Sequence, residues 1–114
     1  PTRSLASWLE AHRLTYGLSS YWDGSAATVQ SGGRVTLRTI MIQDRRAAIY
    51  PWMTDTSWFD PSRYDATFVV IENGDTSLTL PAAERAFGKP ASTGRVASWR
   101  ILIYHRNLLT QVRA

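Results

Sequence analysis

The run Ala66-Thr67-Phe68-Val69-Val70-Ile71-Glu72 is the segment that most constrains how this chain can fold. It is short, β-branched and aromatic, and Asn73-Gly74-Asp75 closes it with a strong turn signal. A run of this kind reads as a buried strand, and a buried strand needs other elements to cover it. Those elements can be read on either side. Leu5, Trp8, Leu9 and His12 recur at helical spacing behind Ser4, a suitable N-cap. Tyr16 to Tyr21 suits a short strand. Asp23 opens a second helical stretch through Ala26, Ala27 and Val29, which Gly32-Gly33 stops. Arg34 to Ile42 alternates and is β-branched, as a strand requires. Pro81 begins a helix that Gly88 ends, and Pro90 blocks its continuation. Arg95 to Arg106 reads as one long strand or two pieces, and Asn107 to Ala114 as a loose tail with Leu108 and Leu109 available to dock.

The order is helix, strand, helix, strand, irregular segment, strand, helix, strand. Alternation of this kind implies an α/β domain: a small, mainly parallel sheet with helices packed on its faces, and room for an antiparallel edge strand. The 114 residues fit a single soluble domain, 1–114, with enough apolar content (44%) for a core. No apolar run reaches the ~20 residues of a membrane span. A chain starting at Pro1 is expected to be a fragment of something longer.

Several chemistries lack their residues. Without cysteine there is no disulfide scaffold, thiol nucleophile or cysteine-bound zinc. His12 and His105 are far apart and have no acidic partner at ligand spacing, so no metal is expected. The glycines form neither a dinucleotide fingerprint nor a Walker loop, and no cofactor is expected. The formal charge is +4, but the arginines are spread along the chain without a basic cluster, and no nucleic-acid role is expected. Asp55 and Asp60, in the aromatic middle of the chain, are the carboxylates that a small glycoside hydrolase would use. Either also suits a turn.

Five tryptophans are the more informative feature. Trp8 and Trp99 fit the core. Trp22, Trp52 and Trp58 lie at element ends or in the irregular segment, where an indole closes a core, stacks on a sugar or meets a lipid interface. Tyr21, Trp22, Asp23, Trp52, Trp58 and Asp60 are the candidate contact residues, the rings for stacking and the aspartates for accepting hydroxyl hydrogen bonds.

The motif order carries a resemblance. Leu5-Ala6-Ser7-Trp8-Leu9 and Leu14-Thr15-Tyr16-Gly17-Leu18 are followed by Tyr21-Trp22-Asp23 and Ser31-Gly32-Gly33-Arg34-Val35. Trp58-Phe59-Asp60, Ala66-Thr67-Phe68-Val69-Val70, Ala86-Phe87-Gly88-Lys89-Pro90 and Ile101-Leu102-Ile103-Tyr104-His105-Arg106 complete the series. Together they resemble the soluble C-terminal extracytoplasmic domain of bacterial GT-C-type polytopic membrane glycosyltransferase-like (mannosyltransferase-like) proteins. The resemblance implies a domain on the outer face of the cell membrane, beside its own transmembrane region and within reach of a cell-envelope glycan. It also implies that the transferase chemistry lies elsewhere in the parent protein, so no residue here is assigned as catalytic. A module that docks another protein is the alternative reading, with the hydrolase as a third.

Overall fold

The computed structural model describes residues 2–20, 32–49 and 56–113. Helix α1 (Thr2–Ala11) begins two residues before Ser4, which therefore sits exposed in its first turn. Leu5 and Leu9, one turn apart, are fully buried. Arg13 adopts φ 58° and closes the helix. Its N–H bonds to the Glu10 carbonyl (3.0 Å), and the Leu14 N–H reaches the Leu9 carbonyl (2.9 Å), so arginine takes the place glycine usually fills in this C-terminal motif.

Strands β1 (Tyr16–Ser19), β2 (Thr36–Gln43), β3 (Arg46–Ile49), β4 (Phe68–Glu72), β5 (Ser92–Val96), β6 (Trp99–Ile103) and β7 (Val112–Arg113) form one sheet in the order β5-β6-β4-β1-β2-β3-β7. Between β4 and β5 lies helix α2 (Leu80–Phe87). Its start and stop follow the sequence: Thr79 caps it by accepting from the Ala82 N–H, Pro81 occupies the first turn, and Gly88 ends it at φ 85°.

A mainly parallel sheet with helices packed on its faces is not what forms. The seven strands make a mixed sheet, mostly antiparallel, with two α-helices among the described residues. Parallel pairing joins β1 to β2, β1 to β4 and β3 to β7. The ladders of β2 with β3, β4 with β6 and β5 with β6 are antiparallel, and the last two are the longest in the sheet. The reason lies in two tight turns. Asp44 (φ 54°) and Arg45 (φ 65°) both take the left-handed conformation and fold β3 straight back on β2. Ala97 (φ 50°) opens the equivalent turn with Ser98 between β5 and β6. Gln43–Arg46 reads as a polar turn, but neither turn contains the glycine that marks a two-residue hairpin. The second helical stretch expected from Asp23 lies outside the described residues.

The apolar run of β4 is buried on both sides. Phe68 and Val70 pack with Leu5 and Leu9 of α1, while Val69 and Ile71 pack with Ala83 and Phe87 of α2. The C-terminal segment is not a loose tail. Leu108 and Leu109 enter the larger core from a 3₁₀ turn, Leu108–Gln111, and β7 then adds to the edge at β3.

Candidate functional site

Two surface features combine aromatic and charged groups. The first surrounds Trp58. The 3₁₀ turn Thr56–Phe59 buries Phe59 and leaves Trp58 half-buried against the larger core. The Arg38 guanidinium, carried on β2, lies 3.9 Å from the centre of the Trp58 ring. Its Nε donates to the Tyr16 hydroxyl at 3.2 Å, and that hydroxyl donates to the Trp58 carbonyl. Tyr64 stacks on Tyr16 with ring centres 4.9 Å apart. Burial raises the pKa of the Tyr16 phenol, against the opposing pull of Arg38. The phenol is therefore a neutral hydrogen-bonding pin at physiological pH, holding the turn against the sheet.

Asp60 follows this turn. Its Oδ1 accepts from the Ser62 hydroxyl (2.7 Å) and the Ser62 N–H (2.9 Å), and these bonds hold its pKa below the ordinary range. A turn-capping aspartate looks like this. The general acid of a glycosidase needs the opposite shift, so Asp60 is unsuited to that half of the two-carboxylate reaction. Its proposed companion Asp55 lies outside the described residues, as do Tyr21, Trp22, Asp23 and Trp52. Of the six candidate contact residues, the structure places Trp58 and Asp60, both at one turn. Arg38, Tyr16 and Tyr64 join them there. No local pattern flags these three: the pairing of β1 with β2 brings Arg38 to Tyr16, and the loop before β4 lays Tyr64 on Tyr16.

The second feature is a cleft of about 440 Å³ beyond the carboxyl end of β4. Its walls include Glu72, Asp75, Thr79, Arg95, Trp99 and Arg100. Asp75 is the best-supported polar group in it. Oδ1 accepts from the Ser77 N–H (2.8 Å) and hydroxyl (2.7 Å). Oδ2 is buried and makes no hydrogen bond of good geometry, although the Ser20 hydroxyl and the Leu78 N–H stand near the carboxylate. Burial pushes the Asp75 pKa up, but the Ser20, Ser77 and Leu78 donors outweigh it and the net shift is downward. The stability this contributes is present above the ordinary aspartate pKa and is lost as pH falls through the lowered one. The melting temperature of the protein should therefore exceed that of Asp75→Asn at neutral pH, with the gap closing as pH falls below the ordinary aspartate pKa. A gap that stays constant on acidification would show that the carboxylate charge contributes nothing.

The histidines take structural or solvent positions. His12 stacks on Trp8 with ring centres 3.8 Å apart, and its Nδ1 lies 2.8 Å from the Trp8 carbonyl oxygen. It sits exposed at the margin of α1, and His105 is exposed after β6. Among the described residues no group of three histidine, aspartate or glutamate side chains gathers as a metal would require. Among them, too, no helix is long and apolar enough to cross a membrane.

What this geometry defines is a small mixed α/β sheet domain with an aromatic surface on one turn and a polar cleft at one strand end. Comparison with protein-family models, with curated proteins and with solved structures finds no match.

Proposed function

We propose that this chain is a non-catalytic accessory domain of a bacterial membrane glycosyltransferase-like protein. It lies on the extracytoplasmic face and contacts a cell-envelope glycan with the surface around Trp58. The carrying observation is the arrangement at that turn. Trp58 and Tyr64 are only half-buried, the Arg38 guanidinium lies over the Trp58 ring, and Asp60, held by Ser62, follows two residues later. A pyranose presents an apolar C–H face and a rim of hydroxyls. An aromatic surface with a fixed cation over one ring and a turn-held carboxylate two residues further on supplies groups for both.

The test is a titration of ¹⁵N-labelled protein with cell-wall oligosaccharides, read at the tryptophan indole and Arg38 Nε signals. Trp58→Ala should abolish the response and leave the fold intact, because the ring lies at the edge of the core. An unperturbed spectrum across the series, or a response that survives Trp58→Ala, would refute the reading. The same protein joined to its natural upstream sequence should fractionate with membranes.

A further inference from the structure

We propose that the cleft beyond β4 binds the oxyanion, phosphate or carboxylate, of a small hydroxylated ligand, held between Arg95 and Arg100. The proposal is independent of the Trp58 surface, with which the cleft shares no residue.

The two-residue turn at Ala97–Ser98 sets the geometry. It pairs Val96 with Trp99 and therefore Arg95 with Arg100, directly across the β5–β6 ladder. Directly opposed residues in an antiparallel pair project from the same face, with Cβ atoms about 5 Å apart. Like charges in that position destabilise the sheet unless something lies between them. Arg95 is exposed, Arg100 is half-buried, and both line the cleft. Among the described residues neither guanidinium has an ion pair or a hydrogen-bond partner. The ion pair formed among those residues is elsewhere, between Arg34 and Glu10.

The carboxylates of the cleft do not neutralise the pair. Asp75 is held by its serines. Glu72 is the register partner of Trp99 and so projects from the opposite face of the sheet, where it accepts from Ser98. Two adjacent forks of N–H donors with no acceptor are a match for a planar carboxylate or a phosphate, which can take a two-pronged bond from each. Thr79 borders the same space at the start of α2, where the helix end favours negative charge. Thr76 and Ser98 border the same space with hydroxyls, and the charges of Glu72 and Asp75 at its rim oppose a second negative group. The combination selects a small molecule carrying an oxyanion and hydroxyls together, and it disfavours a bare polyanion.

Four probes test this by ¹⁵N titration of the intact protein: glucuronate, glucose 6-phosphate, inorganic phosphate and glucose. Glucuronate or glucose 6-phosphate should shift the amides of Arg95, Arg100 and Thr79. Whichever is stronger identifies the carboxylate or the phosphate as the natural group. Glucose alone should shift none of them, and inorganic phosphate should bind more weakly than glucose 6-phosphate. The double variant R95Q/R100Q should lose at least roughly tenfold in affinity for the stronger probe, as expected when charge-assisted bonds are removed. Without ligand its melting temperature should equal or exceed that of the parent, because the like-charge contact is gone; this also reports that the variant folds. No shift with either acidic sugar, a response equal for glucose, or undiminished binding by the double variant would each overturn the proposal.

Discussion

Replacing Asn107 by aspartate should destabilise the protein by about 3 kcal/mol at neutral pH. For a domain of this size that lowers the melting temperature by roughly 10 °C. The amide of Asn107 joins two stretches of chain that no regular ladder connects. Its Nδ2 donates to the carbonyls of Pro61 (3.1 Å) and Tyr64 (2.8 Å), and its Oδ1 accepts from the N–H groups of Ala66 and Leu109 (both 3.1 Å). Two carbonyls on one side and two N–H groups on the other fix which way the amide points. Aspartate has the same shape but no donor. The exposed Pro61 carbonyl and the half-buried Tyr64 carbonyl would then face a carboxylate oxygen, at the cost of their bonds and of direct repulsion. The carboxyl would resist ionising in that place, so its folded pKa would lie above its unfolded one. The added penalty is then present at neutral pH and shrinks as pH falls and the carboxyl protonates. Asn107→Ala removes the same bonds without the repulsion and should cost about 2 kcal/mol, with little pH dependence. Urea melts at pH 7 and pH 4 separate the two variants. If Asn107→Asp melts with the parent at pH 7, the network does not hold the segment.

This network also shows where the sequence was silent. Ala66–Glu72 could be read as a buried strand because its own residues are apolar on both faces, and α2 because its cap, first-turn proline and terminal glycine are local. The sheet's direction was not local. It depends on Asp44-Arg45 and Ala97-Ser98 each turning in two residues; the first lies in a polar stretch that reads as a turn, but without glycine neither is marked as a tight hairpin. One consequence was the expectation of a mainly parallel sheet. Another was the hiding of the arginine pair. Once the turn is placed at 97–98, Arg95 must face Arg100, so the charge pair is implicit in the sequence for a reader who finds the hairpin. The aromatic surface behaves differently. Trp58 and Asp60 stand out by composition, but Arg38 and Tyr16 meet through strand pairing and Tyr64 joins them from the loop before β4. At the C-terminus Leu108 and Leu109 dock as their apolar character suggests, but they form no periodic pattern, and the 3₁₀ turn that buries them depends on the cap at Asn107.

Gly17→Ala should destabilise the protein by about 2 kcal/mol, although the same exchange within a strand usually helps. Glycine in a strand loses more freedom on folding than alanine, which by itself favours alanine by roughly 0.5–1 kcal/mol. Gly17 does not need its conformational freedom, because it lies in ordinary extended backbone of β1. It needs the space. A Cβ placed there would stand 2.5 Å from Cε2 of Phe68 and 2.6 Å from its Cζ. Phe68 is fully buried among Leu5, Leu9, Val70 and Ile101, so its ring cannot step aside without displacing the packing of α1. The sign of the effect therefore distinguishes crowding from propensity. Shrinking the ring should release it. Phe68→Leu alone leaves a gap and should cost about 1–2 kcal/mol, but the pair Gly17→Ala with Phe68→Leu should be more stable than the sum of the single losses by at least about 1 kcal/mol. Additive losses in that double-mutant cycle would mean that the alanine is rejected by something other than Phe68. A stabilised Gly17→Ala would mean that the ring over β1 has room to move and that α1 is less firmly seated on the sheet than its buried leucines indicate.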